Sequence, residues 1–224
     1  MIFSNKSVGN KSEYFVKMMS DKRRKEFSTN QRLSSMPDIA LIGDRTFLFE
    51  KLFQELGASY QFIPPGILGS PFLPKFKMIM IPTGFANPQY SNTLPMVQRF
   101  KSSLAGFVRE GGILTVFGPL EPEHNYDWLP LPLKYVCELS SQQITPAQTS
   151  KHECFCLCST STPECDGYLL PGAGFDPVLE DSQGRIILAA GKYGQGLVVA
   201  TSVHEFPAAE YIRWALSKAK EAKI

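Results

Sequence analysis

The 224-residue chain has no long apolar run and no strong charge of one sign. No stretch approaches the roughly 18 to 20 apolar residues of a membrane span, and the first residues lack the apolar core of a secretion signal. The formal net charge is only +2, which by itself indicates no acidic partner. We therefore expect a cytoplasmic protein with no membrane partner, and a nucleic-acid partner is disfavoured.

Cysteine is scarce, with five residues in all, so we expect reduced thiols and no structural disulfides. Three of them alternate in Cys154-Phe-Cys156-Leu-Cys158, after His152, and Cys165 follows. On a strand this alternation puts the thiols on one face about 7 Å apart, whereas zinc sites favour Cys-x2–4-Cys spacing. We interpret these cysteines as small buried hydrophobes, with metal binding as the alternative, and predict no metal and no cofactor.

The charge is uneven along the chain. Residues 1–36 carry a net charge of +5, including the basic run 22–25, and residues 37–224 carry −3. The polar composition of residues 1–35 predicts a disordered, solvated extension, and residues 36–224 are predicted to form a single domain. Met36 stands directly before the first predicted strand and is an alternative start of translation.

The first half of this domain alternates between strand and helix patterns. The order is typical of a mostly parallel α/β sheet. The predicted strands are Ile39–Gly43, Ser59–Ile63, Met78–Pro82 and Ile113–Phe117, with helices over Phe47–Leu56 and Leu94–Arg109.

The second half has short strand patterns separated by turns, which predict antiparallel hairpins added to the parallel core. These segments are Tyr135–Leu139, His152–Ser159, Gly167–Leu170, Val178–Glu180, Ile186–Ala190 and Leu197–Ser202. A helix from Ala208 to about Lys220 closes the chain.

Polar turns follow the predicted parallel strands at their carboxyl ends, where ligands of open α/β sheets bind. They predict a small-molecule site whose ligand the sequence does not identify. We take His204 as a general base or ligand contact, since its unperturbed pKa of about 6.5 suits either role, with Glu205 beside it. The predicted ligand-binding residues are Thr83, Gly84, Asn87, Gly118, Glu121, Glu123 and His124.

Asp44 is most simply a helix N-cap, and Tyr126 and Trp128 are expected to pack under a proline-rich loop.

Three segments resemble the class I glutamine amidotransferase-like superfamily, over about residues 37–222. They are the strand ending Ile81-Pro82-Thr83-Gly84, the run Val108-Arg-Glu-Gly-Gly112 before the strand Ile113–Gly118, and the closing hairpin Gly194–Glu205 followed by a helix. The resemblance implies a flavodoxin-like, three-layer α/β/α fold with a catalytic histidine at His204.

The chain departs from this family at the nucleophile. The family has a reactive cysteine on the turn after the strand that matches Ile113–Phe117, where this chain has Gly118-Pro119-Leu120 and no cysteine or serine within three residues. We therefore predict a member without glutamine amidotransferase activity that keeps a small-molecule pocket. The alternatives are a hydrolase or lyase that uses His204 with Glu121, Glu123 or His124, with or without a metal, and a protein-interaction module. Homo-oligomerisation stays open.

Overall fold

The structure is a computed structural model that describes residues 36–44, 49–141, 143–150, 152–204 and 206–224. The predicted disorder of residues 1–35 and the predicted role of Glu205 fall outside these residues.

The described residues form a mixed α/β fold. The helices are α1 (Phe49–Leu56), α2 (Thr93–Arg99), α3 (Lys101–Arg109) and α4 (Ala209–Lys218). The strands are β1 (Ile39–Ile42), β2 (Tyr60–Ile63), β3 (Lys75–Phe76), β4 (Met78–Ile81), β5 (Ile113–Val116), β6 (Glu123–Asn125), β7 (Leu133–Ser141), β8 (Ile144–Pro146), β9 (Glu164–Pro171), β10 (Asp176–Asp181), β11 (Ile186–Tyr193), β12 (Gly196–Thr201) and β13 (Ala222–Lys223). None of the described helices is long and apolar enough to cross a membrane.

The first part of the sheet is parallel, as predicted. Its strands lie in the order β2-β1-β4-β5-β12, and every neighbouring pair among them is parallel. Strands β1, β4, β5 and β12 are buried along their whole length, which is why their sequences are nearly continuous apolar runs.

The rest of the sheet is antiparallel, which confirms the predicted hairpins. Strand β12 pairs with β11 on the side away from β5, and the sheet then continues in the order β9-β7-β6. Strand β10 lies off this path and pairs with both β11 and β8. A separate two-stranded sheet joins β3 to β13. The antiparallel strands therefore extend the sheet sideways beyond β12, the last parallel strand.

Side chains on the two faces of the parallel strands belong to two different cores. Ala40 and Ile42 pack in one cluster with residues of α2 and α3, such as Leu104. Ile39 and Leu41 pack in the other with residues of α1 and α4, such as Tyr211. This division follows from the alternation of side chains along a strand.

One predicted helix is interrupted, and one predicted strand was wrong. The helix over Leu94–Arg109 is broken at Phe100 (φ −102°, ψ 22°) into α2 and α3, where the phenyl ring packs so closely on Gly69 that a Cβ there would lie 2.4 Å from it. The predicted strand His152–Ser159 contains instead a 3₁₀ helix over Glu153–Leu157. Its buried residues lie three apart, which is the period of that helix.

Candidate functional site

The central feature of the site is a hydrogen bond between His204 and Asp166. His204 follows β12, its backbone N–H donates to the carbonyl of Glu164, and its Nδ1 lies 2.8 Å from Oδ1 of Asp166. The Asp166 side chain is 3% exposed and that of His204 is 51% exposed. A buried carboxylate that bonds to a solvent-accessible imidazole fixes the orientation of the ring.

Asp166 is held rigidly from the backbone. Its N–H donates to the carbonyl of Ser202, and its own carbonyl accepts from the hydroxyl of Tyr135. Burial raises the pKa of Asp166, and the interaction with His204 opposes that rise. Among the described residues, its Oδ2 has no hydrogen-bond partner, and a Cβ added to Gly118 would lie 3.1 Å from that oxygen.

His204 lines a pocket of about 300 Å³ at the carboxyl ends of the parallel strands, here called the His204 pocket. Its other walls come from the ends of β1, β4 and β5 and the start of α1, and they include Ile42, Phe49, Thr83, Phe85 and Leu120. The structure therefore brings His204 and the Thr83-Gly84 turn together, as expected. The lining contains no acidic side chain, lysine or arginine from the described part of the chain.

Thr83 contributes a buried polar group to this region. Its hydroxyl oxygen has no hydrogen-bond partner in the described chain, and the residue lines the His204 pocket. Buried polar groups are generally hydrogen-bonded, so this unpaired hydroxyl is an unusual feature of the pocket wall.

The two turns that frame the pocket are bonded to each other. The N–H of Gly84 donates to the carbonyl of Gly118 over 2.8 Å, and the side-chain amide of Asn87 donates to the carbonyl of Leu120 over 3.3 Å. These predicted ligand-binding groups therefore hold the shape of the site, and the Gly84 N–H is already used.

Leu120 has an unusual backbone conformation. Its φ is 55°, and within the described residues it is the one residue other than glycine with positive φ. A left-handed conformation costs a side-chain-bearing residue about 1–2 kcal/mol. Leu120 lines the His204 pocket.

The acidic side chains of the turn after β5 do not line this pocket, although His124 packs against Phe85, which does. Glu121 is half-buried, Glu123 pairs with Lys134 over 2.7 Å, and His124 packs edge-on against Phe85 and Tyr126. Burial lowers the pKa of His124, against the opposing charge of Asp127. The lining of the His204 pocket includes none of Glu121, Glu123 and His124.

Asp44 shapes the rim of the pocket. Its carboxylate accepts hydrogen bonds from the hydroxyl of Ser91 and the backbone N–H of Asn92, and Ser91 lines the pocket. The predicted N-cap role concerns residues 45–48, which lie outside the described part.

Tyr126 and Trp128 are buried as expected, at 2% and 1% exposure.

The cysteines do not form a metal site in the described structure. No group of three or more His, Cys, Asp or Glu residues in that part of the chain is arranged to hold a metal ion. Cys154 is fully buried in the core beside α4, and burial raises its pKa to about 12. A protonated thiol of this kind is a poor ligand and a poor nucleophile.

Asp166 was not found from the sequence. It lies 38 residues before His204 in an antiparallel strand, so no local spacing connects them. The one local signal in the sequence was an acidic residue directly before the predicted strand Gly167–Leu170.

No family model matches this chain, and no curated protein matches it. Solved structures do share its fold. A cytoplasmic protein from Salmonella typhimurium LT2 has a TM-score of 0.50 at 13% identity, with 81% of this chain and 99% of that chain covered. A GMP synthase-like protein from Thermoplasma acidophilum has a TM-score of 0.51 at 10% identity, with 82% and 94% covered. At these identities the similarity concerns the α/β fold alone.

Proposed function

We propose that this chain is a flavodoxin-like, three-layer member of the amidotransferase-like superfamily that binds a small molecule in the His204 pocket without covalent catalysis. The parallel strand order β2-β1-β4-β5-β12 corresponds to the flavodoxin-like order 2-1-3-4-5 when the parallel strands are numbered consecutively. The helices pack against both faces of these strands, which supports three layers.

One observation carries the functional proposal. Leu120 and His204 line the same pocket, so the histidine expected from the resemblance shares its pocket with a leucine of the turn where the resemblance places the nucleophile. A base without a nucleophile cannot form an acyl-enzyme. In addition, no helix begins after the Gly118–Leu120 turn in the described structure, because the chain enters β6. The turn therefore lacks the helix N-terminus that would lower a thiol pKa.

The pocket suits a small and mostly uncharged molecule. Its volume lies at the lower end of the range of about 300–1,000 Å³ that is typical of ligand sites. Phe49, Phe85 and Tyr90 supply aromatic surface, while Thr83 and His204 supply hydrogen-bonding groups. An apolar wall with a few polar groups is the usual composition of such sites.

Two experiments test the proposal. Wild-type protein incubated with glutamine should release no ammonia, and sustained release would overturn the claim that the site is inactive toward glutamine. A fragment library measured by ligand-observed NMR should give hits that weaken at least about tenfold in His204→Ala. The control is His152→Ala, because His152 pairs with Asp176 outside this pocket. Hits that respond equally to both variants would contradict binding at His204.

A second function is favoured by the bond between Asp166 and His204. An imidazole oriented by a buried carboxylate can act as a general base toward water or a substrate C–H or O–H group, so we also propose a hydrolase or lyase reaction at His204. Glu121, Glu123 and His124 are not among the described residues that line the pocket, so the reaction that we propose assigns no role to them. A hydrolase and lyase substrate panel tests this, and activity that survives His204→Ala would reject it.

A further inference from the structure

One of the two ring nitrogens of His204 is already used by Asp166. Nδ1 lies 2.8 Å from Oδ1 of that carboxyl group, and the Asp166 side chain is buried, whereas half of the His204 side chain is exposed. His204 also lines the His204 pocket. Because the bonds of the two ring nitrogens point in different directions, a ligand that bonds to this imidazole meets Nε2.

The carboxylate of Asp166 decides which nitrogen of the neutral imidazole carries the proton. An ionised carboxylate only accepts hydrogen bonds, so Nδ1 of His204 must donate to it. A neutral imidazole has a single N–H, which leaves Nε2 as an acceptor. This state of the pair is expected at pH 8.5, which is above the ordinary pKa values of about 3.9 for aspartate and about 6.5 for histidine. The imidazole therefore offers an acceptor nitrogen to a ligand.

Aromatic rings form much of the pocket wall. Phe49, Phe85 and Tyr90 line the His204 pocket. Neighbouring rings hold two of them in place, since Phe49 packs edge-on against Phe117 at 5.4 Å between centroids and Phe85 packs edge-on against Trp128 at 5.6 Å. Aromatic rings pack favourably on one another in offset or edge-on arrangements, so this wall suits a ligand that is itself a planar ring.

The size and charge of the pocket narrow the ligand further. An apolar cavity of about 150 Å³ accommodates benzene, so a volume of about 300 Å³ has room for one ring or two fused rings. The described lining residues include no acidic side chain, lysine or arginine, and burying an ion without a partner is costly. A neutral ring therefore fits the pocket better than a charged one.

We propose that the His204 pocket binds a neutral aromatic ring whose N–H or O–H group donates a hydrogen bond to Nε2 of His204, and that Asp166 sets this preference by fixing the proton on Nδ1. This inference rests on the proposed function, because it assumes that the His204 pocket binds a ligand. Asp166 is a positioning residue, since it acts on the ligand through the imidazole. A ring without a donor leaves Nε2 without a partner and binds more weakly.

The test compares indole with benzofuran, which has nearly the same shape but an oxygen in place of the N–H. Both are titrated against the protein at pH 8.5 and followed by amide shifts in protein-observed NMR. Indole should bind about threefold or more tightly than benzofuran, with shifts at Thr83 and His204.

Two matched variants test the role of Asp166. In Asp166→Asn the amide can accept from Nδ1 or donate to it, so the proton is no longer fixed, and the ratio of the two affinities should fall toward one. The control is Asp176→Asn, which makes the same change in the pair of Asp176 with His152, outside this pocket. This control should keep the preference for indole.

The ring nitrogens give a second readout that does not depend on affinity. Two-bond ¹H–¹⁵N correlation spectra at pH 8.5 should show the proton of the wild-type His204 ring on Nδ1 and none on Nε2. The ¹⁵N shift of Nε2 should move in Asp166→Asn toward that of a protonated nitrogen. A proton found on Nε2 in the wild type would overturn the inference, because that nitrogen would then be a donor.

The possible outcomes separate this inference from the function on which it rests. Equal affinities for indole and benzofuran, with shifts in the His204 pocket, would overturn the donor preference and leave the proposed function standing. A preference that persists unchanged in Asp166→Asn would overturn the role of Asp166. If neither ring perturbs the His204 pocket up to the solubility limit, this inference fails, and the fragment screen then decides the proposed function independently.

Discussion

His204 and Asp166 meet across the junction between the parallel and antiparallel parts of the sheet, with Nδ1 of the imidazole 2.8 Å from Oδ1 of the carboxylate. His204 follows the last parallel strand, and Asp166 lies on β9 in the antiparallel extension. The antiparallel extension therefore supplies the group that orients the imidazole of the parallel half, and the two halves of the sheet build one site.

Replacing Asp166 with asparagine should change how stability depends on pH. Burial raises the pKa of Asp166 in the folded protein, so its contribution is fully present below the unfolded pKa of about 3.9 and is lost as pH rises through the folded pKa. The stability of Asp166→Asn relative to wild type should therefore increase from pH 4 upward, measured by urea unfolding at several pH values. A relative stability that falls as pH rises would contradict this.

The strained backbone at Leu120 predicts an inverted order of two substitutions. Asparagine adopts positive φ more readily than β-branched valine, so Leu120→Asn should be more stable than Leu120→Val by about 1 kcal/mol, although valine is the more hydrophobic. Denaturant unfolding measures both. The same pair at Leu139, an exposed position on β7, should give the opposite order, because strands favour valine. The same order at both positions would argue against strain at Leu120.

Asp181 provides a contrasting dependence on pH. Burial raises its pKa, but hydrogen bonds from Arg185 and Gln183 outweigh that and lower it overall. A lowered folded pKa gives stability that is present above about pH 3.9 and lost as pH falls through the folded pKa. Asp181→Asn should therefore cost about 2 kcal/mol at pH 7, and the difference from wild type should shrink toward pH 3.

The neighbouring variant Glu180→Gln controls for the Asp181 measurement, because Glu180 is only half-buried. It should stay within about 0.5 kcal/mol of wild type. A loss in Asp181→Asn that is constant from pH 7 to pH 3 would show that the carboxylate charge is not its source.

The cysteines should differ sharply in reactivity. Cys137 is exposed, whereas Cys154 is buried with its pKa raised to about 12. Iodoacetamide at pH 7.5 should therefore modify Cys137 in the native protein and Cys154 only after denaturation, as measured by mass spectrometry of peptides. Equal rates at the two residues, or zinc retained by the purified protein through Cys154, would contradict the packing interpretation.

Much of the parallel half could be predicted from the sequence because its strands and turns have local sequence patterns. Strands such as Met78–Ile81 are covered on both faces and appear as short apolar runs, and the turns that follow them are marked by glycine and proline. This was enough to bring Thr83 and His204 to one pocket.

The features that could not be predicted from the sequence depend on contacts between residues far apart in the chain. The helix pattern is interrupted at Phe100, whose ring packs on Gly69, about thirty residues away in the chain. Asp166 reaches His204 only through strand pairing, and the 3₁₀ turn at Cys154 follows from packing against α4. In each case tertiary structure overrode the local pattern.

The most direct test of the account is to find where small molecules bind. Crystals of the protein soaked with the fragments that bind in ligand-observed NMR would give the positions of the bound molecules. The account predicts density between His204 and Thr83, in contact with Leu120, and no covalent bond to the protein. Fragments found reproducibly in other pockets, with the space between His204 and Thr83 empty at saturating concentrations, would contradict it.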